Sequence, residues 1–133
     1  MIENTSTKLL WDFTIQCDRH IPHNRPDIVC VDYVHKEVYL IDVAIPGDSR
    51  VAEKVTEKHQ RYTDLKIELQ KMWKMRVVII PLVLGTLGTV PLCLAQHLKT
   101  LNIYYHGLIP KMQKSVLLSA CHVIRRFVTE YHQ

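Results

Sequence analysis

The chain has 133 residues, 47% of them hydrophobic, with 17 basic and 13 acidic side chains for a net charge of +4, beside eight histidines. Length and apolar share predict one compact domain over residues 1–133 with a core of its own. The mild positive balance suits a polyanionic partner without requiring one. A membrane span is excluded, because the longest apolar run, residues 77–85, is broken by Pro81 and falls short of the ~18 residues a helix needs.

In chain order, "KLLWDFTIQ" at residues 8–16 predicts a strand by its aromatic and β-branched content. After the polar turn "CDRHIPHNRP", residues 27–34 predict a second strand. "HKE" then turns it into a third at 38–45, an antiparallel hairpin whose second arm is apolar enough to be central. "PGDS" ends that arm and offers Asp48 or Ser49 as a helix N-cap. A long helix follows over 50–73, with Val51, Val55, Lys58, Tyr62, Leu65, Leu69 and Met72 on its inward stripe. Residues 76–84 predict a fourth strand, where Pro81 marks an edge or an end. A helix capped by Thr89 is expected over 90–101, with Leu94, Leu98 and Leu101 on one face. The last spans 113–131, with Leu117, Ala120, Ile124, Phe127 and Tyr131 inward and Arg125 and Arg126 outward. Trp11 and Trp73 are expected in the core. The order β-β-β-α-β-α-α describes an α/β fold, a small mixed sheet flanked by helices.

Three residues disturb this apolar pattern. Asp27 opens the second strand, Asp42 lies deep in the third, fifteen residues on, and Lys58 sits on the buried stripe of the helix. A buried carboxylate costs several kcal/mol unless it is paired. Two carboxylates on adjacent strands can share a hard divalent cation, Mg²⁺ or Mn²⁺. Such an ion polarises a phosphodiester and acidifies a bound water, and a nearby ammonium steadies the charge that develops. The bland alternatives are a turn aspartate, a structural salt bridge and a lysine that snorkels out of an apolar face. Taken singly each residue favours the bland reading; their conjunction in one short unit favours a toolkit for cutting nucleic acid. Cys17, His20 and His23 have the spacing of half a zinc site, with no second pair to complete it. Cys17, Cys30, Cys93 and Cys121 are far apart and read as reduced thiols of an intracellular protein rather than a disulfide framework. The opening "MIENTSTKLLW" lacks the layout of a signal peptide, so synthesis in the cytoplasm is expected.

"RPD", "IDVAIP" and "EKHQRY" together resemble the PD-(D/E)xK, restriction-endonuclease-like superfamily. The longer string from "KLLWDFTIQ" through "VVIIPLVLGTLGTV" to "QKSVLLSACHVIRRF" resembles the C-terminal endonuclease domain of non-LTR retrotransposon polyproteins, over essentially the whole chain. That resemblance implies a restriction-endonuclease-like fold and a metal-dependent nick in target DNA that primes reverse transcription. Asp27 and Asp42 match the metal-binding acidic pair. The usual lysine of the motif would fall at position 44, which is alanine; in the retrotransposon branch it has moved to the following helix, where Lys58 matches it and Tyr62 matches a tyrosine of the same motif. Lys54 is the substitute one turn earlier. An accessory acid is expected from Glu3 or Asp12. Arg25 beside the scissile phosphate, and Lys66 and Lys71 in a basic stretch with Lys74 and Arg76, are the candidate DNA contacts.

The implied partners are DNA, acted on in the nucleus, and a reverse transcriptase domain of a longer polyprotein, which 133 residues cannot themselves contain. The alternative is a catalytically decayed nucleic-acid-binding or protein-interaction module with the same fold. A purely structural, oligomer-forming domain is the third reading. Lys58→Met is expected to leave the fold intact.

Overall fold

Period-two burial along two neighbouring segments organises the sheet. In the computed structural model, which describes residues 2–3 and 6–131, with side chains from 6 to 119, the strands are β1 (Ile2–Glu3), β2 (Thr7–Trp11), β3 (Ile28–Asp32), β4 (Glu37–Ala44) and β5 (Arg76–Val83). Helices α1 (Val51–Arg61), α2 (Thr63–Trp73), α3 (Leu94–Thr100) and α4 (Leu108–Tyr131) complete the chain, α1 being preceded by a 3₁₀ turn at Asp48–Arg50. The five strands lie in sequence order, β1-β2-β3-β4-β5. Neighbours from β1 to β4 are antiparallel, with Leu10 opposite Val29 and Val29 opposite Leu40. The Arg76 N–H donates to Lys36 O at 3.0 Å and the Leu84 N–H to Ala44 O at 3.1 Å, so β5 runs parallel to β4. A helical crossover between β4 and β5 permits that direction. The fold is therefore mixed α/β. Its element order differs from expectation at both β1 and the helical crossover, which is two helices rather than one.

The chain divides into two compact units, Met1–Val43 with Thr56–Leu82, and Ala44–Val55 with Val83–Gln133. In the first, Val29, Val31, Val38 and Leu40 present one sheet face to Tyr62, Leu65 and Leu69, and Ile15, Ile21, Val77 and Ile79 extend the same core. Burying each Leu or Val there contributes about 1.5–3 kcal/mol. The expected inward stripe at Tyr62, Leu65 and Leu69 is correct. Its continuity is not. Tyr62 leaves the helix at φ −100°, ψ 7°, and the Thr63 hydroxyl donates to His59 O at 3.0 Å. A threonine hydroxyl bonded four residues back competes for the carbonyl that carries the helix ladder, which bends or breaks it.

Other expectations fail for local reasons. The first strand ends at Trp11 because Asp12 turns at φ 50°, and Trp11, on the face opposite Leu10, is 50% exposed rather than core; Trp73 does pack against the core. The hairpin turn takes four residues, 33–36, and is held by Asp32, whose Oδ1 accepts the Val34 and His35 N–H groups. Pro81 lies in β5, an edge strand, as expected. The third helix begins only at Leu94, and the fourth begins at Leu108, five residues early. Leu117 on the latter is exposed, while Ala120, Ile124, Arg125, Arg126, Phe127 and Tyr131 lie outside the described side chains. Among the described residues no helix is long and apolar enough to cross a membrane.

In the second unit neither Asp48 nor Thr89 caps a helix as expected. Asp48 accepts instead from the Thr89 hydroxyl, the Leu87 N–H at 2.8 Å and the Thr89 N–H at 3.2 Å, which in that order hold its carboxyl below the usual carboxylate range. Gly85 leaves room for this: a Cβ there would lie 2.6 Å from Asp48 Oδ1 and 3.0 Å from Thr89 Cβ. At Gly47 an added Cβ meets nothing within 4 Å. Gly85→Ala should therefore cost about 1–3 kcal/mol in denaturant titration, as overpacking does, whereas Gly47→Ala should stay within about 0.5 kcal/mol.

Candidate functional site

The β3–β4 register places the acidic pair. Ile28 is opposite Ile41, so Asp27 comes opposite Asp42, one step beyond the ladder and on the face that carries Val29 and Leu40. The two residues do not pair through backbone alone. The Asp27 N–H donates to Asp42 Oδ1 at 3.1 Å, and the Val43 N–H donates to Asp27 Oδ2 at 2.8 Å. Each carboxylate thus spends one oxygen locking the strand end. Fifteen residues is the spacing at which this hairpin sets two side chains face to face.

Asp42 is 3% exposed, and Lys58 Nζ lies 2.5 Å from its Oδ2. Lys58 reaches it because α1 carries it on the inward stripe, one turn before Tyr62. Tyr62, buried at the α1–α2 break, has its hydroxyl against Asp42 and a long 3.5 Å hydrogen bond to Arg25 O. Burial, then the negative charge of Asp42, push its phenol up to about 12, against the opposing pull of Arg61. Its backbone angles fall in the sparsely populated bridge region, where active-site residues often sit.

Asp27, Asp42, Lys58 and Tyr62 are therefore brought together, all within the first compact unit. Lys54 stands one turn earlier on α1 and is half-buried. Asp12 is the next residue across the sheet from Asp27, its N–H donating to Asp27 O at 3.1 Å. Its left-handed backbone carries the exposed side chain out of the strand pattern, so it does not complete a three-carboxylate group. The Glu3 side chain lies outside the described residues, although its backbone pairs with Lys8 in β1 and β2. Among the described residues no three His, Cys, Asp or Glu side chains gather, and that includes Cys17, His20 and His23. Arg25 is exposed two residues before Asp27; Lys66 is half-buried and Lys71 exposed on α2, the latter 4.0 Å from Glu68. Sequence reasoning missed Glu68, buried on α2 and paired with Arg19 at 2.7 Å. Glu68 sits three residues after Leu65 on the inward face, and that spacing is the signal that would have found it.

Two carboxylates and a single ammonium leave this group short of one positive charge. Asp27 Oδ1 has no hydrogen bond or ion pair with any described residue. Two hard oxygen donors facing each other, one with a free oxygen, fit a small divalent cation that keeps several waters. No family model, curated protein or solved structure matches the chain.

The ion pair corrects one expectation directly. Lys58→Met does not simply remove a charge from an apolar stripe, because it strands a buried carboxylate. The variant should lose about 3–5 kcal/mol in denaturant titration. Asp42→Asn combined with Lys58→Met should recover much of the loss, and equal destabilisation in the single and double variants would contradict the pairing.

The phenols set a second test. Tyr62 and Tyr39 both hold their protons up to about 12, Tyr39 by burial first and then by its bond to Glu37. In the unfolded chain they ionise near pH 10. A raised folded value means full stability below pH 10 and progressive loss as the pH climbs toward 12. Chemical denaturation across that window should show the loss in the wild type and a shallower loss in Tyr62→Phe.

Proposed function

We propose that this chain is a restriction-endonuclease-like domain that nicks DNA by metal-dependent phosphodiester hydrolysis, and that it derives from the C-terminus of a non-LTR retrotransposon polyprotein. The observation that carries the reading is the opposition of Asp27 and Asp42 across adjacent strands, with Lys58 Nζ 2.5 Å from Asp42. The motif strings "RPD", "IDVAIP" and "EKHQRY" supply those residues together with Tyr62.

Asp27 and Asp42 would hold Mg²⁺ or Mn²⁺, which when bound supplies Lewis acidity to the phosphate and a more acidic water. Lys58 supplies an ammonium at the place where negative charge grows as the P–O bond to water forms and the ester P–O bond breaks. It stands in for the lysine that Ala44 lacks. Tyr62, protonated throughout the neutral range, is a fixed hydrogen-bond donor beside Asp42. Arg25, exposed and adjacent to Pro26 and Asp27, is suited to a backbone phosphate. Lys66 and Lys71 would add charge along α2. On this reading the protein acts inside the cell, on nuclear DNA, alongside a reverse transcriptase domain of the same polyprotein.

A second reading has its own support. Lys58 already engages Asp42 Oδ2, and no third acidic ligand joins the pair among the described residues. A network closed in that way suits a domain that has kept the fold and lost the chemistry, binding nucleic acid or protein without cutting.

Plasmid nicking in Mn²⁺ separates the two. Asp27→Asn retains an oxygen to accept the Val43 N–H and leaves the Asp42–Lys58 pair intact, so the fold survives. The wild type should convert supercoiled to open circular DNA, and Asp27→Asn should be slower by about 10² or more. Absence of nicking by the wild type would favour the silent module.

A further inference from the structure

The core face of the first unit is not covered evenly. Helix α2 packs Leu65 and Leu69 over the Val29 and Leu40 region and ends at Trp73. A cavity of about 430 Å³ opens on this face, where Phe13, Tyr33, Trp73 and Lys8 stand over an apolar floor that includes Leu10 and Val31. Its volume is that of a ligand pocket, for which ~300–1,000 Å³ is typical. Three rings meet there from three segments: Phe13 follows β2, Tyr33 follows β3, and Trp73 closes α2. Trp73 leans on the core, but Phe13 is 44% and Tyr33 38% exposed. Neither ring is needed to fill the interior.

Aromatic rings beside a lysine form a defined chemistry. Bases of any sequence stack on the rings, and the phosphate that joins them pairs with the ammonium. Lys8 adds a positive charge to the lining, and the net charge of +4 further favours a polyanion. Position matters too. Val31, in the cavity wall, lies four residues along β3 from Asp27 and on the same face, ~13 Å away at 3.3 Å per residue. That distance suits nucleotides flanking a cut, not the cut phosphate itself.

We propose that this cavity binds an unpaired base of single-stranded DNA, stacked among Phe13, Tyr33 and Trp73 with Lys8 on the adjoining phosphate. The proposal rests on the reading of the chain as a DNA-acting domain and names the strand state it selects. A duplex keeps its bases stacked on each other, so it offers the rings nothing.

The test is fluorescence anisotropy with a short labelled oligo-deoxythymidine strand, in EDTA, on the full chain. Tyr33→Leu, which keeps apolar bulk and removes the ring, should weaken binding about tenfold or more, whereas Tyr33→Phe should hold it within about twofold. Lys8→Gln should lower the salt slope by about one. An oligo-deoxythymidine·deoxyadenosine duplex should bind more weakly than the single strand. Unchanged strand affinity in Tyr33→Leu, or equal affinity for duplex and strand, overturns the proposal. Displacement of the strand by an uncharged apolar peptide, with no change in Tyr33→Leu, would mark a protein-binding groove instead. Because EDTA removes cleavage from the measurement, ring-dependent binding without any nicking in Mn²⁺ retires only the nuclease reading. Nicking that ignores the rings retires only this one.

Discussion

A carboxylate near the end of an inner strand, almost wholly removed from water, must be neutralised or protonated, and Lys58 neutralises Asp42 at 2.5 Å. Much of the first unit's geometry follows from satisfying that requirement. The β3–β4 register is fixed at this end by crossed hydrogen bonds between each aspartate and the opposite strand's backbone. Helix α1 must then pass close enough for an ammonium on its inward stripe to reach Asp42. The break at Tyr62 lets the next helix turn its leucines onto the sheet while the phenol stays beside the carboxylate.

Energetics argue that the group is not there for stability. Desolvating two ions costs several kcal/mol each, and well-packed apolar residues of similar volume often serve a core equally well or better. The same strand end could have carried valine and leucine, as it does two residues inward at Val29 and Leu40. Instead it carries two carboxylates against one ammonium, a charge pattern that a bound cation would complete. That imbalance separates the site from Glu68, where a single carboxylate has cationic partners to spare, Arg19 at 2.7 Å and Lys71 at 4.0 Å.

Much of this was legible in the chain, and the reasons are physical. Hydrophobic alternation located the hairpin, and the inward stripe of the helix put Lys58 on the correct side, but the register that sets Asp27 opposite Asp42 comes from a four-residue turn, 33–36, rather than from the expected "HKE". What escaped depended on contacts distant in sequence or on single backbone angles. Asp48 looked like a helix cap because nothing local shows that Leu87 and Thr89 fold back onto it. The 50–73 helix looked continuous because its apolar periodicity passes smoothly through Tyr62, and a hydroxyl bonding backward does not disturb periodicity. Trp11 looked like core because aromatic residues usually are, yet it occupies the outward face of a strand that Asp12 ends. Asp12 itself follows Asp27 and Asp42 across the sheet at equal spacing, a row that would read as three ligands if its backbone were extended.

On the proposed reading Asp27 and Asp42 together hold a cation, with Lys58 as the fixed charge beside it. Thermal unfolding with increasing Mn²⁺ addresses it without depending on DNA or on turnover. Binding to the folded chain alone raises the melting temperature by mass action, so the shift should grow with the logarithm of Mn²⁺ concentration once the site is filled. Wild type should show that rise, and Asp27→Asn, which keeps the strand-end hydrogen bond but not the charge, should lose it. An equal rise in both proteins would place the ion elsewhere and contradict the account.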